Sequence, residues 1–359
     1  RRLRIKGWPI LHKAASATIP RAAEICRLLV QVLPELVLEY HKDGQPLHIA
    51  CFNGNLPVMK CILEMCPDAI HGVSGHGFFP IDYAIVALTK YPNAAVNATE
   101  YLLKVYPNVA SQHSGCRRQS PSVASQRSKC FPLFLACMAT KESNVVAGLK
   151  TIKSLYDAYP EAIVTDEESF RQAIDTSRFV DAAQDFLIKQ VDYAAQASDL
   201  QLVITRDEDG MLPLHRALLT LAPLGSIKLL AQADPATLQI PDSNGSLPLH
   251  IACKHCDPTI VKYLVDLDMR SLLVADHNGD TPLHCACLAA NYDVIEMLLA
   301  QYPAAPVGER NVNGELPIQI LLEHDEPENA GYMSSMFLLL RANPEMWMND
   351  MNLVLALTS

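Results

Sequence analysis

The sequence is short of the features that mark membrane, secreted and nucleotide-binding proteins. Its 359 residues contain no uninterrupted run of 18 apolar residues, which argues against a transmembrane helix and against membrane insertion. No apolar stretch follows the basic start at residues 1–6, so we expect no signal peptide there. A glycine-rich phosphate loop with its lysine is also missing, which leaves no motif for a nucleotide cofactor.

Charge is sparse and mostly negative. Only 19% of the residues are charged, and the formal net charge is −10 at pH 7. Negative charge opposes binding to phosphate backbones, so we predict no nucleic-acid partner. Half of the residues are hydrophobic, which predicts a folded chain. The first residue is Arg1 rather than Met, so we expect a segment of a longer protein, and a signal upstream of it stays open.

Two neighbouring segments contain the same order of residues. Residues 242–253 read DSNGSLPLHIAC and residues 276–287 read DHNGDTPLHCAC, so that Pro248 and Pro282 lie 34 residues apart. An amphipathic run follows each segment. A fixed period of this size predicts a solenoid, in which each unit buries its apolar face only against its neighbours.

A proline opens the first helix of nearly every repeat, because Pro is favoured in the first helical turn. The prolines at this place are Pro9, Pro46, Pro80, Pro132, Pro213, Pro248, Pro282 and Pro317. The 81 residues between Pro132 and Pro213 have room for two repeats. Residues 164–206 lack the motif but keep apolar residues at helical spacing. We therefore predict a degenerate repeat there, with a short helix near 170–174 and a longer one near 179–193, in one continuous array.

Four copies of Pro-Leu-His, ending at His48, His215, His250 and His284, each follow an Asp-Gly or Asn-Gly turn. This combination resembles the ankyrin repeat, whose period is about 33 residues. The resemblance covers nearly the whole chain and is strongest in 41–75 and 207–323. It implies an all-α fold, an ankyrin-type helix-turn-helix solenoid of about nine repeats with short hairpin-like turns.

The strength of this pattern divides the chain into parts. We assign N-terminal ankyrin-like repeats to 1–163, a degenerate repeat to 164–206, regular ankyrin repeats to 207–348 and a C-terminal tail or cap to 349–359. Within the first part, the basic and serine-rich residues 111–129 predict a disordered loop. A kinase could read the arginines before Ser120 in this loop, so phosphorylation of Ser120 stays open.

Two positions depart from the family pattern. The family places Thr before the proline, where its hydroxyl joins a hydrogen-bonding network with the following His. Here only Thr281 is present, and the residues at the other places are mostly apolar, so we predict apolar packing. The second helix of a repeat ends at an X-Pro step, as in Tyr302-Pro303, where the family uses Gly. Pro blocks the helix by moving the preceding residue out of the α region.

The eleven cysteines do not follow a disulfide framework. Cys51, Cys137, Cys253 and Cys287 each follow Ala at the same point of a first helix, where cysteine packs as a small hydrophobe. We therefore predict free cysteines and an intracellular, most simply cytoplasmic, protein.

One cluster of His and Cys residues is a candidate for metal binding or thiol chemistry. His250, Cys253, His255 and Cys256 are close in sequence, but their offsets of 3, 5 and 6 spread them around a helix. We therefore predict no metal, no cofactor and no catalytic residue. A Cys/His metal-binding protein or a thiol enzyme is the competing class, and a targeting arm of a larger multidomain protein is a third reading.

The function that the resemblance implies is a non-catalytic scaffold for protein-protein interaction, with the partner protein in the concave groove. The candidate binding positions change from repeat to repeat while Pro, Leu and His stay fixed. They are Glu208, Asp209, Met211, Ser243, Asn244, Ser246, Lys254, His255, His277, Asn278, Asp280, Leu288, Ala289 and Glu315. Four of them are acidic and one is a lysine, so we expect a partner with a basic or mixed surface.

Overall fold

The computed structural model describes residues 4–5, 8–17, 21–41, 44–112, 131–176, 179–302, 305–324 and 329–342. The chain divides into two compact units, Arg1–Asp192 and Tyr193–Ser359, called unit 1 and unit 2 below. The predicted tail at 349–359, Ser120 and most of the predicted loop lie outside the described residues. The first two residues of the predicted loop are described and ordered: Ser111 ends a 3₁₀ helix, and the Gln112 amide lies 2.8 Å from the His71 ring.

Unit 1 begins with two-residue strands and continues as helices. Strands β1 (Arg4–Ile5) and β2 (Trp8–Pro9) are antiparallel, with Ile5 opposite Trp8. The helices that follow are α1 Ile10–Ala15, α2 Ala22–Val32, α3 Pro46–Phe52, α4 Leu56–Met65, α5 Pro80–Val86, α6 Pro92–Val105, α7 Pro132–Ala139, α8 Val145–Ala158, α9 Glu161–Thr165, α10 Glu167–Asp175 and α11 Asp181–Ser198. The division between the units falls within α11.

Among the described residues of unit 2, all regular secondary structure is helical. Its helices are α12 Leu200–Ile204, α13 Pro213–Leu219, α14 Leu224–Ala233, α15 Pro248–His255, α16 Pro258–Leu267, α17 Pro282–Leu288, α18 Tyr292–Gln301, α19 Pro317–Leu322 and α20 Ala330–Ala342. Short 3₁₀ helices follow several second helices in both units. They are Pro34–Leu38, Pro67–His71, Pro107–Ser111, Pro235–Gln239 and Met269–Leu273, and two others are Ala87–Thr89 and Glu142–Asn144.

In the described residues, eight first helices each pack on the second helix that follows them, which confirms the predicted all-α repeat fold. In unit 1 the first helices α1, α3, α5 and α7 pack in order, and so do the second helices α2, α4, α6 and α8. In unit 2 the same arrangement joins α13, α15, α17 and α19, and joins α14, α16, α18 and α20. The core therefore lies between successive pairs, where Leu, Ile, Val, Ala and Cys are buried.

The structure has two helices where the degenerate repeat was predicted. Helices α10 and α11 occupy the places expected for the short and the long helix. Aromatic rings join them to the preceding repeat, since Phe134 packs against Phe170 at 5.3 Å and Tyr156 packs against Phe186 at 5.9 Å between ring centroids. The array is therefore continuous through α10 within unit 1. Its continuation into unit 2 stays a prediction.

The ends of the second helices also follow the prediction. Leu33, Cys66, Tyr106 and Tyr302, each followed by Pro, have φ between −125° and −144° and end their helices. Asp268 ends α16 with φ −147° although Met follows it. A following proline restricts the preceding residue to this geometry. Asp268 adopts the same geometry without a following proline.

The residues before the first-helix prolines are mostly packed in the core, as expected from the loss of Thr. Leu212, Leu247, Leu316 and Phe131 are buried to within 2% exposure. Their apolar side chains fill the place of a polar one. At these positions, therefore, only the backbone groups can form hydrogen bonds.

Candidate protein-binding site

Each regular repeat of unit 2 begins with a turn that an Asp or Asn side chain holds. Asp242 Oδ1 accepts hydrogen bonds from the backbone N–H groups of Asn244 and Ser246, both at 2.8 Å. The Asp242 N–H also donates to the Ser246 carbonyl at 3.0 Å. The residues that hold the other turns by the same pair of side-chain bonds are Asp207, Asp276 and Asn311. The motif therefore presents the two residues after each Asp or Asn at the tip of the turn.

We call these pairs the turn tips. They are Glu208-Asp209, Ser243-Asn244, His277-Asn278 and Val312-Asn313, all of them exposed. Hydrogen bonds join neighbouring tips: the His277 N–H donates to the Asn244 carbonyl at 3.1 Å, and the Val312 N–H donates to the Asn278 carbonyl at 2.9 Å. The Ser243 hydroxyl donates to the Asp209 carbonyl at 2.9 Å. The tips therefore form one edge along unit 2.

Glycine is required after the tips for two reasons. Gly245 and Gly279 have φ of +77° and +74°, a conformation that glycine adopts without steric cost. A Cβ on Gly279 would lie 2.8 Å from the Val312 nitrogen of the next tip. The predicted Asn-Gly turns are therefore confirmed, and they also allow successive turns to approach closely.

Beneath the tips, the motif histidines join each repeat to the next. His250 Nδ1 accepts from the Leu247 N–H at 3.0 Å, so its Nε2 carries the proton and donates to the Asp280 carbonyl at 3.1 Å. His215 and His284 form the same two bonds, to the Ser246 and Glu315 carbonyls at 3.2 Å. We call each pair of bonds a histidine link. Its N–H donor lies before the proline, so the link survives whether that residue is Leu or Thr.

Burial keeps these rings neutral. The pKa of His215, His250 and His284 is lowered, first by desolvation, although nearby carboxylates and carbonyl groups oppose the shift. A neutral ring is the form that a histidine link needs, because Nδ1 must accept a hydrogen bond. The motif histidines are therefore parts of the scaffold beneath the candidate surface.

The structure places most of the predicted binding residues at the surface of unit 2. The exposed ones are Glu208, Asp209, Ser243, Asn244, Lys254, His255, His277, Asn278 and Leu288. The half-buried ones are Met211, Ser246, Ala289 and Glu315. The first group consists of turn tips and first-helix ends. The prediction that these positions bind a partner is untested by their exposure alone.

Asp280 is the exception, and its assignment to the free surface was wrong. It is 6% exposed, and its Oδ1 accepts a hydrogen bond from Asn311 Nδ2 at 3.0 Å. The Asp280 side chain, at the fifth position of its turn, faces the next repeat rather than solvent. Glu315 at the same position accepts from Asn311 and Asn313, and these bonds lower its pKa. The residue at this position therefore bonds to the next turn at Asp280 and within its own turn at Glu315.

Sequence reasoning missed two residues of this surface. Val312 occupies the first tip position of its turn and is 71% exposed. The register of the turns could have found it, because Glu208, Ser243 and His277 hold the same place. Arg216 on α13 was also missed, since it lies one residue beyond the Pro-Leu-His motif and its reach cannot be read from spacing.

Arg216 changes the charge of the edge. Its Nη2 lies 2.7 Å from Asp209 Oδ2, and its Nε donates to Asp207 Oδ2 at 3.0 Å. These hydrogen bonds raise the pKa of Arg216 and lower that of Asp207. Arg206 also reaches the turn and donates to the Gly210 carbonyl at 2.6 Å. With Asp280 buried and Asp209 paired, the surface is mixed in charge rather than acidic.

The cluster of His and Cys on α15 separates in the structure. His250 makes a histidine link, Cys253 is fully buried and His255 is exposed. Cys256 Sγ lies 3.6 Å from the Leu218 carbonyl, and burial raises its pKa to about 12. Among the described residues there is no group of three or more His, Cys, Asp or Glu side chains arranged to hold a metal ion. These four residues therefore do not form a common site.

Comparison with known proteins agrees with this geometry. A family model for three copies of the ankyrin repeat matches residues 218–311, and a model for a single ankyrin repeat matches residues 44–71. No curated protein matches the chain. Where the structure describes the chain, none of its helices has the length and apolar character needed to span a membrane. With matched repeats in both units and the repeat geometry described above, the chain is an ankyrin-repeat protein.

Proposed function

We propose that unit 2 is a non-catalytic scaffold that binds a partner protein along its turn tips and first-helix ends. Ankyrin repeats are in general protein-protein interaction modules, and they are typically non-catalytic. The observation that carries the proposal is the contrast between two sets of positions. Turn-holding residues recur in all four turns and histidine links in three of the four repeats, whereas the first tip residue differs in every turn: it is Glu208, Ser243, His277 or Val312.

The partner that fits this edge has a mixed surface. Glu208 and Lys254 are exposed charges of opposite sign, and Asn244, His277 and Asn278 add polar tips. Leu288 is 44% exposed at the end of α17, so apolar contact lies beside the polar tips. Such a surface sets the register of a complex through charge and gains affinity from the apolar contacts.

The thiols support an intracellular location. The nine cysteines that the structure describes form no disulfide, and eight of them are buried. Burial raises the pKa of Cys26 and Cys285 to about 12, which opposes a nucleophilic thiolate. We propose on this basis a reduced cytoplasmic protein without thiol catalysis.

The test compares two triple variants in affinity capture from native lysate. The tip variant replaces Glu208, His277 and Val312 with Lys, three exposed residues at the same place in three turns. The control replaces Gln232, Leu267 and Ala300 with Lys, three exposed residues in the last turns of α14, α16 and α18. Both variants should keep the melting temperature, because every changed side chain is exposed.

We expect proteins captured by the wild type and by the control to be lost with the tip variant. Capture that survives the tip variant and disappears with the control would place the interaction on the second helices. It would then exclude the turn tips as the binding surface.

A further inference from the structure

The sequence contains four Asn-Gly steps, and the structure describes all of them. They are Asn53-Gly54, Asn244-Gly245, Asn278-Gly279 and Asn313-Gly314. The backbone nitrogen after an asparagine can attack the carbon of the side-chain amide. Glycine permits this attack most readily, because it has no Cβ and rotates freely when the local structure opens. Each Asn-Gly step is therefore a place where the side-chain amide can be lost without an enzyme.

Three of the steps lie on the exposed edge of unit 2. Asn244, Asn278 and Asn313 are the second residues of their turn tips, and we call them the tip asparagines. All three are exposed. The Asn313 amide donates to Glu315 Oε2 at 3.2 Å, a contact that is open to solvent. Water therefore has access to the side chain in all three steps.

The fourth step is held within unit 1. Asn53 is half-buried at the end of α3, and its Nδ2 donates to the Ile49 carbonyl at 2.9 Å. Gly54 has φ +59° and lies against α6, since a Cβ on it would be 2.4 Å from the Ala94 Cβ. Rotation within this step therefore breaks the side-chain bond and moves the glycine against α6.

The bond to the glycine nitrogen does not distinguish the four steps. In each of them the glycine N–H donates to the carbonyl three residues before it, at 2.9 to 3.2 Å. At the tips this bond, and the bonds between neighbouring tips, lie at an exposed edge, where local opening is least costly. At Asn53 the same opening also has to free a half-buried side chain. The structure therefore favours reaction at the tips.

We propose that the tip asparagines deamidate spontaneously, which places carboxylates on the turn tips. The glycine nitrogen bonds to Cγ of the asparagine, the bond from Cγ to Nδ2 breaks, and the proton of the glycine nitrogen leaves with the amide as ammonia. Water then opens the resulting cyclic imide at one of its two carbonyl carbons. Aspartate forms when the backbone link is restored, and isoaspartate forms when the backbone instead runs through Cγ. Water is the only co-reactant.

The first turn of unit 2 already has an aspartate at this position. Asp209 is its second tip residue, and Gly210 follows with φ +74°. The Asp209 N–H donates to Asp207 Oδ1 at 3.0 Å, as the Asn244 N–H donates to Asp242 Oδ1 at 2.8 Å. The turn therefore accepts the aspartate product without a change of backbone.

Isoaspartate has a larger effect, because it lengthens the backbone. The Asn244 carbonyl accepts the His277 N–H, and the Asn278 carbonyl accepts the Val312 N–H. In isoaspartate these carbonyls become part of the free carboxylate, so the bonds between tips are displaced. Either product at all three sites lowers the formal net charge of −10 by three units. The effect on binding rests on the proposed function: the edge changes from mixed to acidic, which favours a basic partner.

Peptide mass spectrometry of the full chain tests the order of reaction. Trypsin places the four asparagines in separate peptides, because Lys60, Lys254 and Arg310 lie between them. The folded chain is incubated at mildly alkaline pH, where the attacking nitrogen loses its proton more readily, and a denatured sample is the control. In the folded chain the tip asparagines should convert at least about fivefold faster than Asn53, because the bond that holds the Asn53 side chain has to break first. In the denatured chain all four should convert at similar rates.

A triple variant with Asn244→Gln, Asn278→Gln and Asn313→Gln is the matched control for charge, because glutamine does not readily form the cyclic imide. On isoelectric focusing the wild type should become more acidic during the incubation, and the variant should not. The proposal is overturned if Asn53 converts as fast as the tip asparagines in the folded chain. It is also overturned if the tips stay intact while the denatured chain converts. Neither measurement uses a partner, so each outcome is independent of whether unit 2 captures one.

Discussion

Unit 2 joins its described repeats by histidine links, whereas unit 1 changes from histidine contacts with the next repeat to aromatic packing after its second repeat. His12 Nε2 lies 2.9 Å from the Gly44 carbonyl, and His48 Nε2 lies 3.1 Å from the Phe78 carbonyl. The next two repeats carry Asp82 and Phe134 at the place of the histidine. From there on, Phe134 packs edge-on against Phe170 and Phe179.

The comparison separates two tasks of the motif histidine. The first task is local, to accept the N–H of the residue before proline. Asp82 Oδ2 does this for Phe79 at 2.8 Å, and Gln319 Oε1 does it for Leu316 at 2.8 Å. The second task is to donate to the next repeat, as His250 does to the Asp280 carbonyl. Unit 1 therefore keeps the local cap at Asp82, and from the repeat of Phe134 onward aromatic packing joins the repeats.

The aromatic contact in unit 1 should be the most sensitive to truncation. Phe170 is fully buried, and Phe170→Ala should lower the free energy of unfolding by about 3–5 kcal/mol through lost burial and an unfilled cavity. Urea unfolding followed by circular dichroism measures the change. Val146→Ala, at an 81% exposed position, should change it by less than about 0.5 kcal/mol. Equal effects at the two positions would contradict the role of the aromatic cluster.

Loss of a histidine link in unit 2 should have the second-largest effect on the free energy of unfolding. His250→Ala removes the acceptor of the Leu247 N–H and the donor to the Asp280 carbonyl, and leaves both groups buried. The expected loss in unfolding free energy is about 2–3 kcal/mol. His255→Ala on the same helix is the control, because His255 is exposed. A loss of less than about 1 kcal/mol for His250→Ala would show that the link contributes little net stability.

The sequence predicted the parts of the fold that depend on short-range pattern. Helix pairs, glycine turns and the ends at X-Pro steps follow from spacing and from backbone restrictions of Pro and Gly. The misses concern residues whose positions are set by side-chain contacts that spacing does not encode. Asp280 looked free because it varies, yet it receives a hydrogen bond from Asn311 in the following turn. Arg216 reaches Asp207 and Asp209 across a turn, a geometry that no period encodes.

The pH dependence of unit 2 provides a finer comparison. Burial lowers the pKa of folded His250 below its usual 6.5, so the unfolded chain binds the proton more readily. The contribution of neutral His250 to the free energy of unfolding is therefore complete above the pKa of the unfolded chain. It is lost as pH falls toward the pKa of the folded protein. His250→Gln, which can accept as Gln319 does, should flatten the loss of stability between pH 7 and pH 5, because it removes the group whose pKa is lowered on folding. Urea unfolding at a series of pH values measures this, and unchanged slopes would contradict it.

Thr281→Leu should have the smallest effect on the free energy of unfolding. Thr281 Oγ1 lies 2.8 Å from His284 Nδ1, but the Thr281 N–H also donates to that nitrogen at 3.1 Å. Leu247 keeps the equivalent N–H bond and is 2% exposed. Leu at 281 therefore loses one buried hydroxyl contact and gains apolar burial, and these changes should cancel to within about 0.5 kcal/mol. Thr281→Ala gains no such burial and should cost about 1 kcal/mol by urea unfolding. If Leu costs more than Ala, the hydroxyl is part of the link in this repeat, and the apolar residues of the other repeats are not equivalent to it.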